Sequence, residues 1–193
     1  MSPLRIIGGT AKGLTLKTVK LPALRPTTDR VRSAVFSMLE SRHAIIGARV
    51  LDLYAGTGSL GIEALSRGAI KADFVENNKQ LATLISENLS RTKLDDKSKV
   101  HNMSVDKALG LLKNKYDLIF ADPPYKMINE TSESIQKIIE LRLLSDRGKI
   151  ILEHSIKSSF DFKTSDLAII QTKKYGDTNI DIYELAKVSE QND

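Results

Sequence analysis

The sequence predicts an α/β fold: a mostly parallel sheet with helices on both faces, preceded by a β-hairpin and ending in an antiparallel pair of strands. Three observations carry that expectation. From Arg49 onward, short apolar runs rich in Val, Ile and Leu alternate with amphipathic helical patterns, as in a sheet buried on both sides. A glycine triplet, Gly56, Gly58 and Gly61, follows the first of those runs, where a strand must turn into a helix. Near the end, LAIIQTKKYG and TNIDIYELAKV read as consecutive strands joined at Gly176 and Asp177, with no helix between them.

The elements follow in order. Residues 4–19, LRIIGGTAKGLTLKTV, place β-rich pieces on either side of a glycine-rich centre and predict a hairpin with Lys12 near its tip. LPALRPTT is a proline-punctuated connection, after which Thr27 or Thr28 can cap a helix through DRVRSAVFSMLES. Its apolar face reads as Val31, Ala34, Val35, Met38 and Leu39. Strands are predicted at ARVLDLY, ADFVEN, KVHNM, YDLIFAD and GKIILEH, and helices near SLGIEALSRG, KQLATLISENLSRT, DKALGLLK and SESIQKIIELRLL. A chain of 193 residues that is 41% hydrophobic can bury one sizeable core. The expectation is therefore one domain over residues 1–193, with the hairpin extension over 1–20, a leading helix over 27–43 and the α/β core over 48–188.

Composition narrows the function. There are no cysteines, which excludes disulfides and thiolate metal sites and fits a reducing compartment. His43, His101 and His154 lack metal-ligand spacing, so no metal is expected. No apolar run approaches the roughly 20 residues of a membrane span, and MSPLRIIGG lacks the apolar stretch of a signal peptide, so a soluble cytoplasmic protein is expected. The net charge of +5 is unevenly placed. The first 49 residues carry Arg5, Lys12, Lys17, Lys20, Arg25, Arg30, Arg32, Arg42 and Arg49 against only Asp29 and Glu40, and the rest of the chain is slightly acidic. A localised basic stripe suits a phosphate-backbone partner, and a solvated basic surface is the plainer alternative.

The glycine triplet lets the backbone bend tightly and approach a ligand that no Cβ would admit. Glu76 ends the next strand, where a carboxylate can accept hydrogen bonds from ribose hydroxyls. A nicotinamide dinucleotide and S-adenosyl-L-methionine both meet those requirements. Asp52 favours the second, because a carboxylate inside the strand before the glycines suits a cationic ligand and would repel a pyrophosphate.

The fourth strand ends in Asp122-Pro123-Pro124-Tyr125. Consecutive prolines make a rigid extended exit and remove two backbone donors, leaving carbonyls such as that of Pro123 to accept. Asp122 and that carbonyl can take the two N–H bonds of an exocyclic aromatic amine, and Tyr125 offers a face on which a base can stack. A nicotinamide oxidoreductase would have no use for this tetrapeptide or for the interior Asp52. A non-catalytic RNA-binding module would not need complete cofactor and amine motifs. A DNA adenine-N6 methyltransferase would use the same tetrapeptide, but the chain has no added target-recognition domain.

With DLYAGTGSLG, FVENN and DPPY in this order, the chain resembles class I S-adenosylmethionine-dependent methyltransferases. RIIGG, RPTTDRVRSAVFSML and KKYGDTNIDIYE narrow the resemblance to bacterial 16S rRNA guanine-N2 methyltransferases of the RsmD type, over nearly the whole chain. The resemblance implies a Rossmann-like, seven-stranded fold with an N-terminal hairpin and S-adenosyl-L-methionine as cofactor. It also implies a monomeric cytoplasmic enzyme that meets 16S rRNA in a small-subunit assembly particle. Carried over by position, Asp52, Ala55, Gly56 and Gly58 line the methionine part of the cofactor, Glu76 holds the ribose and Asn77 lies beside the adenine. Asp122, Pro123, Pro124 and Tyr125 receive the guanine, while Arg25, Thr28, Arg30 and Arg32 face the RNA from the leading helix; the basic charge of the first 49 residues adds Lys12 as an RNA contact. Ser104 departs from the family, which often has an acidic or amide residue there. Adenine recognition is accordingly assigned to the Met103 and Ser104 backbone, with Asp106 as a neighbour of undefined role.

Overall fold

The computed structural model describes residues 3–19, 29–124, 126–158, 160, 162 and 164–186. Within them the chain runs α1 (Asp29–Glu40), β1 (Arg49–Leu53), α2 (Ser59–Ser66), β2 (Lys71–Val75), α3 (Lys79–Thr92), β3 (Ser98–His101), α4 (Val105–Leu111), β4 (Tyr116–Ala121), α5 (Ile128–Glu140), β5 (Leu144–Ser155), β6 (Leu167–Tyr175) and β7 (Thr178–Leu185). The strands form one seven-stranded sheet in the order β3-β2-β1-β4-β5-β7-β6. Strands β1 to β5 are parallel, and β7 lies antiparallel between β5 and β6. The chain winds outward from β1 to β3 and then returns to place β4 on the other side of β1. The β1/β4 boundary is therefore the point where the winding reverses, and ligands of open α/β sheets bind beyond the carboxyl ends of the strands there.

Period-2 alternation sends successive side chains to opposite faces of the sheet, and the core divides accordingly. Val50, Leu118 and Phe120 pack on one face against Phe36 of α1, Ile62 of α2, Ile85 of α3 and the N-terminal Leu4, Ile6 and Leu16. Leu51, Leu53 and Ile119 pack on the other against Val105 and Ala108 of α4 and Ile135 and Ile138 of α5. The α3 helix is the best marked locally. Asn78 caps it, its side-chain oxygen accepting from the Gln80 and Leu81 N–H groups, and Lys93 closes it with a left-handed φ of 56°.

Several boundaries depart from the sequence reading. Helix α5 starts at Ile128, ahead of SESIQKIIELRLL, and stops at Glu140. Leu144 already pairs with Tyr116, so β5 begins before GKIILEH, and a register shift between Tyr116 and Leu118 absorbs its polar start. The predicted hairpin is an arm whose two limbs are paired by the antiparallel Arg5–Thr15 bridge and by the Ile6 N–H donating to the Leu14 carbonyl at 3.0 Å and the Leu16 N–H to the Leu4 carbonyl at 2.8 Å, without a regular strand pair among the described residues. Its glycine-rich tip lies against the body of the protein: Ala11 is buried, the Thr10 N–H donates to the Ser66 carbonyl at 2.8 Å, and the Ala11 N–H donates to Ser66 Oγ at 2.9 Å. Tight docking explains the glycine pair, since a Cβ at Gly8 would strike the Arg67 guanidinium and one at Gly9 the Ser66 carbonyl.

The buried stripe of α1 is Val31, Arg32, Val35, Phe36 and Leu39, rotated from the expected face, with Ala34 and Met38 only half-buried. Phe36 draws the helix round onto Phe120, the two ring centroids lying 5.8 Å apart, and Arg32 turns inward with it. The expected RNA contact from Arg32 is thereby corrected. Its Nη2 donates to the Arg5 carbonyl and to Asp29 Oδ1, so it joins the arm to α1. Burial holds its pKa below the usual guanidinium value despite the nearby Asp29 and Glu63 carboxylates. The cap expected at Thr27 or Thr28 lies outside the described residues.

Candidate active site

The carboxyl ends of β1, β2 and β4 bring the glycine turn, Glu76 and Asp122 to one edge of the sheet. The turn leaves β1 through Tyr54, whose φ of 57° is unusual for a residue with a side chain, and continues through Gly56 (φ 55°) and Gly58 (φ 77°) into α2. Neighbouring elements hold it in place. The Ala55 N–H donates to the Val75 carbonyl at 3.0 Å, and the Gly56 N–H donates to Glu76 Oε2 at 2.9 Å. The other Glu76 oxygen accepts the Asn78 N–H at 2.8 Å. One half-buried carboxylate thus joins the glycine turn to the start of α3, and its remaining lone pairs can serve a ribose.

Asp52 shares the face of Val50 and lies beneath the first turn of α2. It is 2% exposed, and its Oδ2 accepts the Gly61 N–H at 2.9 Å. Gly61 is needed for that approach, because a Cβ there would overlap the Phe74 ring. Burial above all, with added repulsion from Asp122 and Glu76, holds the Asp52 carboxyl well above the usual carboxylate range, against the opposing pull of the Gly61 N–H. Asp52 therefore supports the turn from below as a buried hydrogen-bond acceptor, while Glu76 and Asp122 supply the negative potential at this edge. That potential suits a cation and opposes a pyrophosphate.

The adenine side is built from the loops after β2 and β3. Asn77 is exposed, and Met103 and Ser104 are half-buried. Asn102, which the sequence reading did not single out, links these loops by donating from Nδ2 to the Glu76 carbonyl at 2.9 Å and the Asn77 carbonyl at 3.1 Å. Ser104 stands at the N-cap of α4 without a side-chain capping bond. Asp106 lies in the first turn of that helix, paired at the surface with Lys137.

On the amine side, Asp122 is half-buried, Pro123 buried and Pro124 exposed. The Pro124 carbonyl accepts the Met127 N–H at 2.8 Å and so leads directly into α5. The β5 end that continues beside β4 carries His154, whose Nε2 lies 2.7 Å from Asp181 Oδ2. Its Nδ1 lies 3.0 Å from the Ser155 carbonyl. The His154 ring meets Phe160 edge-on, and Phe160 stacks on Phe162, which meets Tyr183. None of this aromatic cluster was picked out from sequence, because its members come from β5, β7 and the connection after β5. Lys12 and Arg30 are exposed, as an RNA contact requires. Tyr125, Arg25 and Thr28 lie outside the described residues. Among the described residues no group of three or more metal-binding side chains gathers, and no helix is long and apolar enough to cross a membrane.

The family model described as Conserved hypothetical protein 95 matches residues 4–184. Ribosomal RNA small subunit methyltransferase D of Escherichia coli (strain K12) is 30% identical over 181 residues, which cover 94% of this chain and 89% of that protein. The chain belongs to this family. The Haemophilus influenzae protein of the same name is 36% identical over 152 residues, 77% of each chain. The solved structure of Escherichia coli yhhF is similar with a TM-score of 0.82 and 30% identity, covering 95% of this chain and 98% of that one. The fold expected from the sequence, a Rossmann-like class I methyltransferase sheet with C-terminal antiparallel strands, is the fold observed.

Proposed function

We propose that this protein transfers a methyl group from S-adenosyl-L-methionine to the exocyclic N2 amine of a guanine in 16S rRNA, acting on a small-subunit assembly particle as a monomer. Methyl transfer to ribosomal RNA is the activity named for the family's curated relatives. Those names do not specify the guanine N2 position, which is our proposal. The observation that supports methyl transfer to an exocyclic amine is the grouping of Asp52, Glu76 and Asp122 around a glycine turn, with a rigid Pro-Pro exit directly after the third carboxylate; guanine N2 in place of adenine N6 rests on the resemblance of RIIGG, RPTTDRVRSAVFSML and KKYGDTNIDIYE.

These residues fit a cationic adenosine cofactor. Ala55, Gly56 and Gly58 give close backbone access to its methionine part, Glu76 accepts from the ribose hydroxyls, and Asn77, Met103 and Ser104 border the adenine. When bound, the cofactor supplies an electrophilic methyl group on an already activated sulfonium, so no strong general base is needed. The chain's own task is alignment. Asp122 and the Pro123 carbonyl accept the two N–H bonds of the amine and turn its lone pair toward the methyl carbon, while Tyr125 stacks on the base. The bound cofactor would supply the methyl carbon and would leave as the neutral thioether, and Asp122 or water would take the proton that the amine gives up. Lys12, Arg25, Thr28 and Arg30 hold the RNA backbone from the basic N-terminal quarter.

The test incubates the protein with methyl-labelled cofactor and undermethylated small subunits, followed by digestion to nucleosides. Label in N2-methylguanosine is expected. Label in methyladenosine, or transfer to DNA in preference to rRNA, would overturn the assignment.

A further inference from the structure

Asn88 lies in the middle of α3, is fully buried, and bonds to two segments distant from it in sequence. Its Oδ1 accepts the Lys17 N–H at 2.7 Å, while its Nδ2 donates to the Lys17 carbonyl at 3.1 Å and to the Thr57 carbonyl at 3.1 Å. Thr57 is the residue between Gly56 and Gly58, so one side-chain amide spans the N-terminal arm and the turn assigned to the cofactor. The arm is also fixed near its tip. The buried Glu63 carboxylate of α2 accepts the Ile7 and Gly8 N–H groups, each at 2.8 Å. Arg67 secures that carboxylate by bridging it to Glu40 of α1 at 2.7 and 2.6 Å. Helices α2 and α3 therefore hold the arm at its tip and at its return limb.

A buried amide with three bonds made is costly to lose, because an apolar replacement leaves the Lys17 N–H and the Thr57 carbonyl without partners. Packing alone would be satisfied by a leucine at this point of α3, whereas the bonds specify a link. The arm carries Lys12 and Lys17 to the surface. A ligand that fixes the arm also fixes the Lys17 peptide groups and, through Asn88, the Thr57 carbonyl. A ligand that fixes the turn does the reverse, so each reduces the ordering cost met by the other.

We propose that Asn88 is a positioning residue that makes the cofactor turn depend on the docked N-terminal arm, so that RNA on the arm and cofactor in the turn strengthen each other's binding. The inference rests on the reading of the turn as the cofactor site and of the arm as an RNA contact. Its test measures the affinity of labelled S-adenosylhomocysteine by filter binding, with and without saturating undermethylated small subunits. In the parent protein the subunits should tighten binding by about fivefold or more, the lower end of ordinary coupling between sites. Asn88→Leu should weaken binding without RNA and abolish the enhancement. Lys17→Pro removes the N–H that Asn88 accepts and should reduce the enhancement, whereas Lys17→Ala keeps that N–H, removes only the Lys17 side chain and should retain the enhancement, which keeps the test valid if Asn88→Leu fails to fold. The double variant of Asn88→Leu with Lys17→Pro should be no worse than the weaker single one. A parent protein that shows no enhancement, or a folded Asn88→Leu or Lys17→Pro variant that keeps it in full, overturns the coupling. A parent protein that binds no S-adenosylhomocysteine overturns the cofactor reading instead.

Discussion

Replacing Glu76 with glutamine should weaken S-adenosylhomocysteine binding roughly ten- to a hundredfold while leaving the protein folded. The magnitude follows from the site. The carboxylate accepts the Gly56 N–H at 2.9 Å through one oxygen and the Asn78 N–H at 2.8 Å through the other. Glutamine keeps the length but has only one carbonyl oxygen, so its amide NH2 must face one of those N–H groups, donor against donor. It also removes the charge that the proposed ribose contact uses. A hydrogen bond to a charged group contributes about 1.5–3 kcal/mol, and each 1.4 kcal/mol is about tenfold in affinity. Calorimetric titration with S-adenosylhomocysteine reads the effect. Thermal unfolding without ligand separates loosening of the turn from loss of the ligand bond, since only the former lowers the melting temperature. A folded variant that binds within about twofold of the parent would remove Glu76 from the cofactor site and undermine the argument that its free lone pairs matter.

Asp122→Asn adds a donor facing the amine's own N–H, and single-turnover methylation should slow by the equivalent of about 2–4 kcal/mol with affinity for S-adenosylhomocysteine, which lacks the sulfonium charge, unchanged; near-normal turnover would exclude Asp122 from orienting the amine. Lys12→Glu and Arg30→Glu, both at exposed positions, should each lower RNA affinity and flatten its dependence on salt while sparing cofactor affinity. Equal salt slopes for variant and parent would refute that role. Burial alone would lower the His154 pKa, but hydrogen bonds with Asp181 and the Ser155 carbonyl outweigh it and raise the value in the folded state. The pair's stabilisation is then complete below the unfolded histidine value of about 6.5 and is lost as pH rises through the raised folded value. The unfolding free-energy difference between the parent and His154→Gln should accordingly shrink from pH 6 to pH 9, as read from denaturant curves; a constant or growing difference would contradict the pairing.

What could be read from the sequence was whatever repeats locally. The strands show as apolar runs, and the turn shows because Gly56 and Gly58 adopt positive φ and Gly61 admits no side chain beside Phe74. The carboxylates were visible for the same reason, each lying at or near the end of a strand whose direction was already evident. Contacts across sequence distance were hidden. The apolar pattern of α1 supports either of two neighbouring stripes, and only the fit of Phe36 against Phe120 selects the one that buries Arg32. Glu63 reads as the polar face of a short helix until the Ile7 and Gly8 N–H groups arrive from 56 and 55 residues away. Asn88 sits 71 residues from Lys17, and nothing in SENLSRT signals that its amide is taken up by an arm and a turn. The start of β5 was missed because Ser145, Asp146 and Arg147 are polar and the register with β4 slips there.

The central claim is that the acidic glycine turn and the Asp122-Pro123-Pro124 exit together methylate the N2 amine of a guanine in 16S rRNA. Mass mapping of modified nucleosides in small-subunit RNA, from cells with this protein and from cells without it, addresses that claim most directly. The account predicts that one N2-methylguanosine disappears in the absence of the protein and returns when the parent chain is restored, but not when Asp122→Asn is supplied. An unchanged set of N2-methylguanosines, or the loss of a different modified nucleoside, would contradict it.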